Sequence, residues 1–303
     1  MTAYWLAQEN TYRGQEPTTR LGVVRECFFP KLPDLRGTGP CGKKCRVRFA
    51  TFNVNSIRAR LGATTDWLDR REPDVVALQE TKVIDADFPS EEFVRRGYGV
   101  AMAGQKTYNG VALLSRLPMR DIRIGLDGDG ADAERRYISA TIGNVRCVSV
   151  YVPNGKEVTH PAFKAKLVWL DRLRQTLQTE VESHQKPLIV GGDLNIAASE
   201  LDVWSAEALA GQLHFHPDER QALTNVLGSD FRDAFRHLNA DARQFSWWDF
   251  RGPSLRLNRV LRIDYVFLSS SLVPSLSQSG IDADCRTADC PSDHVPVVVD
   301  VAC

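Results

Sequence analysis

Short apolar runs that stop at an acid, an amide, a tyrosine or a histidine recur along the chain from Phe49 to Val299. Leu188-Ile189-Val190-Gly191-Gly192-Asp193-Leu194-Asn195 has the sharpest pattern: a buried-strand run, two glycines, then a carboxylate and a carboxamide. Side chains alternate along an extended chain, so Asp193 and Asn195 are expected on one side, a few ångströms apart. The glycines let a backbone, a metal or a phosphate approach closely. The same pattern returns at Phe49 to Asn55, Asp74 to Lys82 with Glu80 at the end of the run, and Val148 to Gly155 with Tyr151. It returns again at Leu261 to Leu268 with Asp264, and at Pro291-Ser292-Asp293-His294 before Val295 to Val299. Turn chemistry explains one Gly/Asp/Asn strand end; it explains the whole series poorly.

Between these runs the period changes. Leu61, Thr64, Trp67 and Leu68 make a helical stripe between Ile57 and Arg71, stopped by Glu72-Pro73. From Pro161 to Gln185, Phe163, Leu167, Leu170, Leu173, Leu177 and Val181 recur at spacings of three and four, an amphipathic helix with Pro161 in its first turn. The segment from Tyr151 to Asp193 therefore reads as strand, helix, strand. Val111 to Ser115 is a further strand, the stretch from Glu80 to Tyr98 is irregular, and Asp127-Gly128-Asp129-Gly130 is loop. Residues 199 to 245 are polar and helix-leaning. His214, His216 and His237 there have no acidic neighbours at ligand spacing and read as surface or packing histidines.

Composition narrows the classes without choosing among them. The chain has 303 residues, 43% hydrophobic and 25% charged, and a formal net charge of +0. Nucleic-acid binding would have to rest on a local basic face. No apolar run approaches the roughly 20 residues that span a bilayer. Seven cysteines without a regular framework fit a reducing compartment. Cys41 with Cys45, and Cys285 with Cys290, match no standard zinc spacing and read as plain thiols. Residues 1–46 lack periodicity and are rich in proline and glycine. They read as a flexible extension or as translation from an upstream start codon. Neither a secretory signal nor an acid-poor transit peptide fits them.

If the strand ends converge, Asn53, Glu80, Tyr151, Asp193, Asn195, Asp264, Asp293 and His294 surround one cavity. Oxygen donors with a single histidine suit Mg²⁺, with Mn²⁺ as a substitute, better than zinc. Glu80 is the best main ligand, helped by Asn53 and Asp293. Asp264 is placed to fix the tautomer of His294, and Asp193 to orient or deprotonate a water. Asn195 and Tyr151 supply donors to charge building on phosphate oxygens. No serine or cysteine stands in a nucleophile elbow, so attack by water is preferred. The aromatic stretch Phe245-Ser246-Trp247-Trp248-Asp249-Phe250, followed by Arg256, Arg259 and Arg262, reads as a core staple or as a nucleic-acid wall.

These segments, together with Asn55-Ser56-Ile57-Arg58-Ala59-Arg60, Asn109 to Ser115 and Gly192-Asp193-Leu194-Asn195-Ile196, resemble the exonuclease III family. These are bacterial-type class II apurinic/apyrimidinic (AP) endonucleases of the endonuclease/exonuclease/phosphatase superfamily. The match runs in order from about Phe49 to Val301. It implies a DNase I-like four-layered α/β-sandwich over 47–303, with residues 1–46 outside it. It also implies Mg²⁺-dependent cleavage of DNA 5′ to abasic sites and trimming of 3′ ends in base excision repair. The implied catalytic residues are Tyr151, Asp193, Asn195, Asp264 and His294. Asn53, Glu80, Asp193, Asn195, Asp293 and His294 form the implied metal set. Arg58, Arg135, Asn154, Trp247 and Arg259 are the implied DNA contacts, with Trp247 lining the abasic pocket. The expected partner is duplex DNA with abasic sites or blocked 3′ ends, met by a monomer in the cytoplasm or on the nucleoid, with organellar targeting by the extension left open. Rival readings are an inositol-phosphate or sphingomyelin phosphodiesterase, a DNase I-like nuclease, a catalytically dead DNA-binding module and a structural protein.

Overall fold

The computed structural model describes residues 46–249 and 259–302. The extension apart from Arg46, and with it Cys41 and Cys45, lies outside the described residues, as do Phe250 and Arg256. Two mixed six-stranded sheets face each other. The first has β1 (Arg46–Asn53), β2 (Val75–Gln79), β3 (Gly99–Ala103), β4 (Val111–Ser115), β13 (Leu276–Ile281) and β14 (Val297–Ala302), in the order β13-β14-β1-β2-β4-β3. The second has β5 (Met119–Ile124), β6 (Tyr137–Ile142), β7 (Val145–Tyr151), β8 (Leu188–Asp193), β9 (Phe231–Asp233) and β12 (Asp264–Ser269), in the order β5-β6-β7-β8-β12-β9. A two-stranded ribbon, β10 (Trp247–Trp248) with β11 (Val260–Leu261), lies apart. The helices are α1 (Leu61–Arg71), α2 (Ser90–Val94), α3 (Pro161–His184), α4 (Ala206–Leu209), α5 (Pro217–Leu227) and α6 (Ala234–Leu238).

Period-2 alternation sorts each central strand between two apolar layers. Phe49 of β1, Ala77 of β2, Cys147 of β7 and Ile189 of β8 point into the space between the sheets. Ala50 and Phe52 of β1 point the other way, onto Trp67 and Leu68 of α1 and Phe93 of α2. Leu188 and Val190 of β8 point onto Leu170, Leu173 and Leu177 of α3 and Leu223 of α5. Each of those buried leucines contributes roughly 1.5–3 kcal/mol. The helices thus cover the outer faces, which completes the four layers.

The glycines of β8 have a packing reason. A Cβ on Gly191 would lie 2.6 Å from Phe49 Cε1 of the opposite sheet, and one on Gly192 would lie 2.2 Å from the Val150 carbonyl oxygen of the adjacent strand. The close approach they allow is to a facing ring and a neighbouring strand. Only the β1–β2 and β7–β8 pairs are parallel among the described strands. Those pairs are joined through α1 and α3, so their carboxyl ends emerge together.

Three expectations are corrected. The run from Leu261 to Leu268 is broken at Arg262-Ile263, because Val260–Leu261 pairs with β10 while Asp264–Ser269 pairs with β8. The stretch from Glu80 to Tyr98, expected to be irregular, contains α2, with Phe93 fully buried against the first sheet. Along α3 the buried stripe runs through Lys166 and Glu180 where Leu167 and Val181 were expected; those two apolar residues are half-buried.

Candidate active site

The six runs singled out in the sequence are β14, β1 and β2, adjacent in one sheet, and β7, β8 and β12, adjacent in the other. Register then aligns the chemistry. Tyr151 and Asp264 are the cross-strand partners of Asp193 on its two sides, and Asn53 ends opposite Gln79, the residue before Glu80. Asn53 ties the two rows together: its Nδ2 donates to Glu80 Oε1 at 2.8 Å and to Asp193 Oδ2 at 2.9 Å. A polar seam continues inward, where Gln79 Nε2 donates to Ser149 Oγ of the other sheet at 3.0 Å.

Glu80, Asp193 and His294 each present one donor atom, all within 4.8 Å of one another. Two carboxylates and one imidazole in a buried setting fit a hard divalent cation. Asn53 stands beside them through its amide. Glu80 and Asn195 both adopt left-handed backbone conformations, φ 51° and 52°. Strain of this kind persists where surroundings impose it. Here the surroundings are the turns around them, since Ser56 N donates to the Glu80 carbonyl and Asn195 N to Asp193 Oδ1.

His294 Nδ1 lies 2.9 Å from Asp264 Oδ2, and its Nε2 lies 3.8 Å from Asp193 Oδ2. Burial disfavours the charged ring, but Asp264 and Asp193 outweigh it and raise the imidazole to about 10. Burial raises the Asp193 carboxyl to about 7, with His294 opposing and Asp264 and Glu80 adding to the shift. Glu80 is held below the usual carboxylate range: Asn53 and Lys82 overcome its desolvation. Tyr151 is pushed well above the ordinary phenol by burial and by Glu80 and Asp193, so it stays a neutral O–H donor. The arrangement provides a carboxylate that titrates near neutrality, a cationic imidazolium, a neutral phenol and an open oxygen-rich pair.

Asp293 is turned toward a different set of partners. Its Oδ1 accepts from Asn55 Nδ2 at 2.8 Å and its Oδ2 from Trp247 Nε1 at 3.1 Å. It lines the wall next to His294 and fixes the indole, whose ring centroid is 6.5 Å from that of His294. Asn154 Nδ2 donates to Asn195 Oδ1 at 3.2 Å, so it stands at the same mouth. Arg58 is exposed, Arg135 Nη2 donates to the Ala131 carbonyl, and the Arg259 guanidinium lies over the Trp204 ring. Arg262, grouped in the sequence with the phosphate-binding arginines, is instead 1% exposed. Its Nε donates to Asp202 at 2.7 Å and its Nη1 pairs with Asp233 at 2.7 Å. One buried and one partly buried acid hold it, beside the strand break just before Asp264.

Residues that the sequence pattern passed over also meet here. Lys82 bridges Glu80 Oε2 at 2.8 Å and Asn55 Oδ1 at 2.5 Å. His214, expected at the surface or in packing, has Nδ1 2.6 Å from the Asn195 carbonyl oxygen and its ring 6.2 Å from Trp247. Ser246 Oγ accepts from the main-chain N–H groups of Ile263 and Asp264, and Ser292 Oγ donates to the Asn53 carbonyl. Lys82 lies two residues from Glu80, a spacing that could have drawn attention to it. Nothing local marks His214.

The chain is similar to known proteins over most of its length. Residues 50–294 match the profile of the endonuclease/exonuclease/phosphatase family. Exodeoxyribonuclease III of Haemophilus influenzae is 35% identical over 263 residues, covering 83% of this chain and 98% of that protein. Among solved structures, a 3′ phosphatase from Neisseria bound to a product DNA hairpin aligns with a TM-score of 0.81 at 33% identity, covering 85% of this chain and 100% of that one. An AP endonuclease from Archaeoglobus fulgidus aligns with a TM-score of 0.79 at 35% identity, covering 84% and 98%.

Proposed function

This chain belongs to the endonuclease/exonuclease/phosphatase family, and from that premise we propose that it is a metal-dependent DNA phosphodiesterase that cuts 5′ to abasic sites and trims 3′ ends of duplex DNA. The observation that carries the reading is the meeting of Glu80, Asp193 and His294 at the shared strand ends, with Asp264 behind the imidazole. Relatives named exodeoxyribonuclease III and AP endonuclease support the substrate class.

Glu80 and Asp193, steadied by Asn53, are the residues that would hold Mg²⁺, with Mn²⁺ as a substitute. When bound, the ion supplies Lewis acidity and positive charge toward a phosphate oxygen. Of the two roles open to His294, ligand or cation, we take the second. Its Nδ1 is committed to Asp264 and its proton is retained well above neutrality, so Nε2 faces the site as a donor. Asp193, at about 7, accepts the proton of the attacking water. Asn195 and the neutral Tyr151 offer N–H and O–H donors to the charge that develops on phosphorus-bound oxygens.

Arg58, Arg135, Asn154, Trp247 and Arg259 form the DNA-contacting set of this reading. Trp247 has the best support, since Asp293 orients it beside His294. We extend the reading to a monomer working on cytoplasmic DNA. The free thiols Cys147, Cys285 and Cys290 fit that setting, and no helix among the described residues is long and apolar enough to cross a membrane. The test is purified protein in Mg²⁺ and in EDTA, given labelled duplexes with an abasic site, a recessed 3′ end, a 3′ phosphate or an RNA strand. Metal-dependent incision 5′ to the abasic site supports the reading. Intact DNA in every lane contradicts it.

A further inference from the structure

Helix α3 carries two buried ion pairs, and one of them reaches the site. Lys166 and Glu219 of α5 have no exposed side-chain surface, and Lys166 Nζ pairs with Glu219 Oε1. The same ammonium donates to the Asn195 carbonyl at 2.8 Å and to the Asn154 carbonyl at 3.3 Å. Asn195 follows β8 and Asn154 follows β7, so one cation gathers the two loops that leave the catalytic ends of the parallel strands. The side chains of those two residues meet as well, Asn154 Nδ2 on Asn195 Oδ1. Asn195 is in a left-handed conformation, held from within its turn by Asp193 Oδ1 on its N–H and from outside the turn by Lys166 on its carbonyl. The other pair, Glu180 with Arg146, lies fourteen residues further along α3, about 21 Å away along the axis.

We propose that Lys166, held in place by Glu219, is a positioning residue that fixes the Asn154 and Asn195 peptides, and through them the Asn195 side-chain amide, whose Nδ2 donates to the Val152 carbonyl at 3.0 Å and faces Asp193 Oδ2 at 3.4 Å. This rests on the nuclease reading above. A buried charged pair is weak evidence for stability, since replacing both partners with apolar residues is often neutral. What distinguishes this pair is that its spare donors end on the backbone of the site. A misplaced catalytic group costs rate even when the fold is intact.

The experiment compares Lys166→Met/Glu219→Leu with Arg146→Met/Glu180→Leu, each removing a whole pair from the same helix. The readouts are melting temperature, kcat and KM on an abasic duplex in Mg²⁺, and hydrogen exchange at the Asn195 amide. The first variant is expected to lose roughly ten- to a hundredfold in kcat at little changed KM, and to exchange the Asn195 amide faster. The second is expected to keep wild-type kcat. Equal kcat in both folded variants, or an unchanged Asn195 amide, overturns the proposal. Lys166→Gln/Glu219→Gln is the second variant if the apolar pair does not fold. Failure of both to fold while the Arg146 variant folds also overturns it, because the pair would then build the fold. If the wild type itself leaves the duplex intact, the nuclease reading fails, while the exchange measurement still reports on the tether.

Discussion

Two clusters of buried charge sit at opposite ends of β7, and they differ in how fully their charges are matched. At the start of the strand, Arg146 and Glu180 close on each other. Glu180 accepts from Arg146 Nε at 2.6 Å, from Ser139 Oγ at 2.8 Å and from the Tyr137 hydroxyl at 3.1 Å. Arg146 spends its remaining donors on Ser139 Oγ, Glu180 Oε1, the Asp121 carbonyl and Thr141 Oγ1. Glu180 consequently stays below the usual carboxylate range despite its desolvation. At the far end, beyond Tyr151, Glu80, Asp193 and Asp264 outnumber Lys82 and His294. There Asp193 is forced up to about 7, and Asp264 Oδ1 is buried without a hydrogen-bond partner. A saturated cluster holds a helix to a sheet. An unsaturated one is poised to take up a cation or a proton, and the free energy for it comes from the packed layers on either side.

The comparison breaks most readily at Asp193. Asp193→Asn is expected to reduce incision of an abasic duplex by about 10²- to 10⁴-fold, the usual worth of a positioned base. Its melting temperature should be held or raised, because a destabilised acid is removed. Single-turnover kinetics with thermal melts checks both; wild-type rate would remove Asp193 from the chemistry. Arg146→Met gives the opposite signature. It leaves Glu180 buried without its partner and should cost about 3–5 kcal/mol of stability, while activity per folded molecule is unchanged. Chemical denaturation beside active-site-normalised kinetics checks it.

How much of this contrast is legible in the sequence follows from its range. The strand ends are readable because each is a local event: an apolar run stops and an acid or amide follows, as at Asp193 and Asn195. Val111 to Ser115 and Pro161 to His184 are likewise set by neighbours in the chain, and their bounds match or nearly match the elements. The pairing of Asp264 with His294, thirty residues apart and now seen at 2.9 Å, is expected once the strand ends converge, and the family resemblance carries the same pair. What stayed hidden depends on distant partners. Lys166 reads as one polar residue in an apolar stripe until α5 brings Glu219 to it. His214 reads as a surface or packing histidine, and only the fold shows that it packs on the Asn195 carbonyl. Arg262 is left between a core staple and a nucleic-acid wall until Asp202 and Asp233 are seen to take its guanidinium. The break at Arg262-Ile263 is set by which strand each half pairs with, and alternation along a single chain cannot encode that choice.

A smaller effect sharpens the same contrast. With Asp193 as base and His294 as cation, kcat/KM should rise with pH as the Asp193 carboxyl, raised by burial, loses its proton, and fall on the alkaline side as the imidazolium held by Asp264 is lost. Asp264→Asn removes the carboxylate that holds that proton, so the alkaline limb should move to lower pH while the acid limb changes less. Arg146→Met should leave both limbs in place. A pH–rate series on the three proteins checks this; an alkaline limb that ignores Asp264→Asn would dissociate the dyad from catalysis.

On the proposed function, the unmatched acids at the strand ends gather a divalent ion for phosphodiester hydrolysis. The most direct measurement is the rate of abasic-duplex incision against free Mg²⁺ for the wild type and for Glu80→Gln. Cleavage is expected to be absent in EDTA, and the half-saturating Mg²⁺ concentration to rise at least about tenfold in the variant. Superimposable curves, or cleavage that persists in EDTA, would contradict the proposed function.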